Sequence, residues 1–181
     1  MIAPNAVSGD FLMLGLGRLS SLVLILNALT AVPVLADEVA CKSFKWDLAR
    51  EQGWFQAVPP TLASGATLAG GEGAATLQLS PVEGLGFSVA PEHKPEPGSF
   101  GAVFKLPSLD KAGTYQVTLS DEGWIDVIQG GASVKSGAFS GRKGCPGLRK
   151  SVRFDLQPGP VILQVSGVKA GTINVAVGPA D

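Results

Sequence analysis

Imidazole is nearly absent from this 181-residue chain, in which His93 is the one histidine. That excludes every site built on two imidazoles, among them the usual catalytic zinc sets and the two-histidine, one-carboxylate iron centre. Charge of either sign is not in excess: 14 Lys and Arg stand against 15 Asp and Glu, for a formal net charge of −1. No global field therefore draws the chain to nucleic acid or to an anionic membrane. The two cysteines, Cys41 and Cys145, form no Cys-x-x-Cys pair, which argues against a reactive thiol. No Gly-x-Ser-x-Gly elbow presents a serine, no Walker-type loop cradles phosphate, and Gly70 to Gly73 reads as a turn. A hydrolase would have only a carboxylate pair to use, Asp121 or Glu122 with Asp126, and turn carboxylates this close in sequence are normally solvated. The expectation is a protein that is not an enzyme, with no metal and no cofactor.

Long apolar runs are missing as well. Leu19 to Leu29, behind Arg18, falls short of the roughly 20 residues that a helix needs to cross a bilayer. With small residues at Val34 and Ala36 ahead of Asp37, it reads as a secretory signal peptide cleaved after Ala36. Residues 1–36 are then a signal helix and 37–181 a single domain, periplasmic or secreted, with membrane contact confined to the signal segment before cleavage. In an oxidising compartment Cys41 and Cys145 are expected to form a disulfide.

What is present is turn chemistry and alternation. The 24 glycines and 13 prolines suit tight turns between short strands. In 113–119, Tyr115, Val117 and Leu119 alternate with Thr114, Gln116 and Thr118, which predicts one core face and one wet face. Asp121, Glu122 and Gly123 supply a turn, and Trp124 to Ile128 resumes an extended pattern, so 113–129 reads as an antiparallel hairpin. Before it, the pattern predicts a strand over Phe44 to Leu48, a helical turn begun by Asp47, and a hairpin of 61–68 with 74–79. It further predicts a weak strand over 84–89, a proline-rich surface loop over 91–98 and a strand over 99–106. After the central hairpin come an edge strand over 132–140 and three alternating strands at 152–156, 161–165 and 173–177. Trp46 and Trp54 are read as lids over one end of the sheets. Eight or nine short strands at this spacing predict an all-β fold, an antiparallel two-sheet sandwich of jelly-roll-like type.

The segment from Gly101 to Pro179 resembles the bacterial pre-peptidase C-terminal type of β-sandwich module. The resemblance is carried by Ala112-Gly113-Thr114-Tyr115-Gln116-Val117-Thr118-Leu119-Ser120, Asp126-Val127, Phe154-Asp155-Leu156 and Val161-Ile162-Leu163-Gln164-Val165-Ser166-Gly167. It implies an accessory domain of a secreted protein, serving secretion or the binding of a substrate or surface, in some members with calcium. The whole chain is also similar to small exported proteobacterial proteins, which implies no activity.

Two candidate binding surfaces emerge. Arg142, Lys143, Arg149, Lys150 and Arg153 put five cations within twelve positions, a rim that can meet an anionic envelope glycan or an acidic protein face, or can simply be solvated. Trp124 and Asp126 share a side by alternation and can grip a sugar between an aromatic plate and a carboxylate; the favoured reading places Trp124 in the core instead. The leading functional expectation is an exported non-catalytic binding or accessory module for an envelope component, glycan or partner protein. The alternatives are an envelope assembly protein pairing through a sheet edge, and a hydrolase.

Overall fold

The computed structural model describes residues 39–70 and 72–181. The expected signal segment, 1–36, lies outside the described residues. Eleven strands and the helix α1 (Ala49–Gln56), beside a helical turn over 39–42 and a 3-10 turn at Val82–Gly84, organise the described residues: β1 (Thr61–Leu62), β2 (Gly73–Gln78), β3 (Ser80–Pro81), β4 (Phe100–Leu109), β5 (Gly113–Leu119), β6 (Trp124–Gln129), β7 (Ala132–Val134), β8 (Ser136–Gly141), β9 (Lys150–Leu156), β10 (Gly159–Val168) and β11 (Thr172–Pro179). They form two sheets, β1-β2-β11-β5-β9-β8 and β3-β4-β10-β6-β7, called I and II below. Every pairing is antiparallel except the short β1–β2 contact. The fold is the expected all-β sandwich, with more strands than the eight or nine anticipated, three of them only two or three residues long.

Alternation drives the packing. Val117 and Leu119 of β5, Phe154 and Leu156 of β9 and Val175 and Val177 of β11 face Phe104 and Leu106 of β4, Val127 of β6 and Leu163 and Val165 of β10, all nearly inaccessible. Two apolar faces thus interdigitate in a single layer, as in other sandwiches. The close approach of β4 to β10 requires a glycine: a Cβ on Gly101 would stand 2.5 Å from the Val165 carbonyl oxygen. Gly101→Ala is expected to cost about 2 kcal/mol by overpacking, read as a lower denaturation midpoint at unchanged slope.

Several local expectations are corrected. β5 and β6 are not a hairpin: β5 pairs with β9 and β11, whereas β6 pairs with β10 and β7. The turn at Ser120–Gly123 carries the chain over the end of the core from one sheet to the other. Gly123 is packed there, since a Cβ on it would meet Val168 and Leu119 at 3.1 and 3.2 Å. The chain likewise changes sheet between β2 and β3, β4 and β5, β7 and β8, β9 and β10, and β10 and β11. The expected edge strand over 132–140 is split at Lys135, with β7 at the edge of sheet II and β8 at the edge of sheet I. Residues 61–68 and 74–79 form no hairpin, because β1 runs parallel to β2 and Thr67 bridges to Lys105 of the other sheet. No strand forms over 44–48 or 84–89, whereas α1 does form, with Asp47 Oδ1 accepting the Ala49 N–H at its start.

Much of both outer faces is covered. Residues 44–56 lie on sheet I, where buried Glu51 accepts from Gln116 Nε2 at 2.7 Å and Trp46 Nε1 donates to Ser151 Oγ. Gln116 and Thr118, expected in water, are 1% and 0% exposed beneath this cover. Trp46 and Trp54 belong to it, so they lie over a sheet face and not over an end. The proline-rich segment is a strap on sheet II. The Ser88 and Val89 N–H groups donate to Gln164 Oε1 at 2.7 and 3.3 Å, and Gln164 Nε2 donates back to the Val89 carbonyl.

Candidate functional site

The strap, the strand lengths and the sheet change at Lys135 together leave one side of the sandwich open. β7 has three residues and pairs only with Val127–Gln129, so the first half of β6, Trp124 to Asp126, has no strand neighbour on that side. A cleft of about 310 Å³ enters there between the two sheets. Inward-facing Ile125, Val134, Val152 and Phe154 form its floor; Phe139, Lys150, Arg149, Trp124 and the strap residues Glu92 and His93 form its walls.

Lys150 begins β9 and shares the inward side with Val152 and Phe154. Its side chain is 6% exposed and its ammonium donates to the Gly123 carbonyl. It also stands over the Trp124 ring, 4.4 Å from the centroid, and 5.7 Å from that of Phe139, both cation–π distances. Burial pushes its pKa below the ordinary lysine value; Glu122 works the other way and Arg149 adds to the lowering. Beside it, Arg149 forms an ion pair with Glu122.

Trp124 is exposed on the outer side of sheet II, contrary to the favoured core reading, because Ser166 and Gln164 of β10, its register neighbours and those of Asp126, also face outward. Its ring leans on Gly167, where a Cβ would come within 2.9 Å. His93 stacks on it with centroids 3.6 Å apart and planes 4° apart. His93 and the Lys150 ammonium thus both contact the indole, which is 42% exposed, and the second exposed aromatic wall is Phe139, 48% exposed.

Asp126 is buried under the strap, where Oδ1 accepts the Glu92 N–H at 3.1 Å and Oδ2 has no partner among the described residues. Burial raises its pKa above the ordinary aspartate value, against the lowering effect of the Glu92 hydrogen bond. The native state therefore holds this proton more tightly than the unfolded chain, and the resulting contribution falls as pH rises from the unfolded toward the folded pKa. Asp126→Asn, which keeps an acceptor for Glu92, is expected to raise the melting temperature at pH 7 and to flatten its fall between acidic and neutral pH. An unchanged pH profile would contradict the burial assigned to this carboxylate.

The five cations do not make one rim. Arg149 and Lys150 enter the cleft. Arg142 turns away, its Nε donating to the Ser43 carbonyl and Oγ, and Arg153 lies on the opposite sheet face over the Trp46 ring while donating to Gln116 Oε1. Lys143 is exposed beside the disulfide loop, in a shallow hollow with Arg142 and Arg149. Cys41 and Cys145 form the expected disulfide, which packs with Leu48 and Leu148. Of the carboxylates considered for hydrolysis, Glu122 is committed to Arg149, Asp126 is under the strap, and Asp121 accepts the Glu122 N–H. Sequence reasoning missed His93 and Phe139: nothing local aims a proline-flanked histidine at a tryptophan 31 places away in another element, and Phe139 became a wall only because β7 is short. A larger hollow, about 850 Å³ around Phe44, Trp46 and Gln52, brings together none of the candidate binding residues.

Compared with family models, curated proteins and solved structures, the chain matches none.

Proposed function

We propose that this domain is an exported, non-catalytic binding module and that its site is the side cleft. The observation that carries the reading is the convergence, in one open cleft floored by core residues, of a buried ammonium, Lys150, and an exposed ring, Phe139. Small-molecule and terminal-group sites combine an apolar surface with convergent polar anchors, as this floor and these walls do. The disulfide fits an oxidising compartment. The resemblance of residues 101–179 to accessory modules of secreted proteins supports the same role. An envelope component, a glycan end or a side chain of a partner protein is the expected class of ligand.

The test is a panel of envelope glycans and polyanions offered to the oxidised full chain at low and high salt. Binding is expected to weaken at least tenfold in Phe139→Ala, a change at a half-exposed ring that leaves the melting temperature nearly untouched. Binding that tracks Arg142 and Lys143 and leaves Phe139→Ala unaffected would move the site to the disulfide loop. A second reading, assembly through a sheet edge, is favoured by β8, the uncharged outermost strand of sheet I with four of its six residues exposed. It expects concentration-dependent self-association that Ala138→Lys abolishes in sedimentation.

A further inference from the structure

We infer that the cleft takes a small organic anion with an apolar body, the anionic group on the Lys150 ammonium and the body against Phe139, Ile125 and Val152. This deepens the proposed binding role and rests on the cleft being the site.

The Lys150 ammonium is a buried charge with no ion-pair partner among the described residues. An ammonium has three donors, and Lys150 spends one on the Gly123 carbonyl. Two ring systems lie within cation–π distance of it, and no carboxylate forms an ion pair with it among the described residues. The charged groups around it are accounted for. Glu122, the one carboxylate whose charge reaches it, is held by Arg149, whose own charge also reaches it and opposes the ammonium; Asp126 is turned to the strap backbone; Glu92 and His93 stand exposed on the strap side. A cation withdrawn from water and left with a carbonyl and ring faces is poorly compensated. A carboxylate or phosphate reaching it gains charge-assisted hydrogen bonds in a low-dielectric site. The floor and one wall decide the rest of the ligand, because Ile125, Val134, Val152, Phe154 and Phe139 offer apolar surface there, with the hydroxyls of Ser133 and Ser136 beside them. About 310 Å³ lies at the small end of the roughly 300–1,000 Å³ of small-molecule sites, which suits a compact acid or one acidic chain terminus and excludes a polymer laid along the groove.

Burial lowers the Lys150 pKa, and a bound anion draws it back up. Binding at alkaline pH therefore takes up a proton, and its heat depends on the ionisation heat of the buffer. A neutral ligand on the same apolar walls produces no such linkage.

The experiment is calorimetric titration of the oxidised full chain with 2-naphthoate, 2-naphthyl phosphate, 2-naphthamide and 2-naphthylmethylamine, in two buffers at neutral and alkaline pH. The expected result is that at least one anion binds tenfold or more tightly than the amide, with proton uptake at alkaline pH, and that the amine binds least. Preference for carboxylate over phosphate identifies which anion the site accepts. Lys150→Gln removes the preference and Lys150→Arg keeps part of it; should Lys150→Gln not fold, the wild-type series decides alone. Equal binding of amide and anion, or tightest binding of the amine, overturns the inference and leaves the cleft as a binding site. Glycan-panel binding lost in Phe139→Ala, with every naphthalene probe silent, does the same. Silence of both the probes and the panel overturns the binding reading itself.

Discussion

Cys41→Ser/Cys145→Ser is expected to lose about 4 kcal/mol of folding stability, the largest effect of any change considered for this protein. The bond closes a loop of sequence separation 104, and constraining a loop of that size removes roughly 4–5 kcal/mol of unfolded-state entropy in the chain model. Packing adds to it, since Cys145 is buried against Leu48 and Leu148. Function enters because the bond fastens the cover of sheet I, whose other ties at that end are modest: the Lys45 N–H to Ser140 Oγ and Arg142 Nε to Ser43. Chemical denaturation of oxidised, reduced and variant protein measures this. Reduced and variant chains should agree with one another and fall well below the oxidised one. Coincidence of all three curves would show that the cover is held without the bond.

Glu51→Ala is expected to cost about 3 kcal/mol, the second largest effect. Glu51 is 1% exposed, in the first turn of α1, and its Oε1 accepts from Gln116 Nε2 at 2.7 Å and from Arg50 Nε and Nη2 at 3.0 and 2.6 Å. Truncation leaves the Gln116 amide buried against the cover with its donor unmet, which alone costs about 1–3 kcal/mol. Arg50 is partly exposed and recovers water, so its share is the smaller one. Glu51→Gln keeps an acceptor for Gln116 and should recover about half the loss. Equal losses in the two variants would assign the effect to helix packing and not to the hydrogen bond.

The short patterns over 44–48 and 84–89 gave no strand, whereas the strands over 99–106 and from 113 onward were legible because a period of two survives any tertiary arrangement. Strand partners were not: the inward sets Val117, Leu119 and Ile125, Val127 satisfy a hairpin and a two-sheet arch equally, and only the packing of Gly123 over the core end selects the arch. The polarity of Gln116 and Thr118 was read correctly and its consequence was not, since water on that face is replaced by residues about 65 to 105 positions away. The candidate site was legible as residue types. Trp124, Asp126, Arg149 and Lys150 meet at one place, yet Arg153, three residues beyond Lys150 on the same strand, must face the other side by alternation alone. Treating the five cations as a single patch overlooked that parity. His93 and Phe139 were out of reach, because their roles come from the strap lying on sheet II and from the early end of β7.

The central claim is that ligand enters the side cleft. Backbone amide shift mapping by nuclear magnetic resonance, on the oxidised full chain titrated with whichever panel member or naphthalene anion binds, tests it directly. The account predicts the largest changes at Trp124 to Asp126, Phe139 and Lys150, with smaller ones at Glu92 and His93. Changes gathered instead at Arg142 to Gly147, or along Ser136 to Ala138 without Lys150, would contradict it.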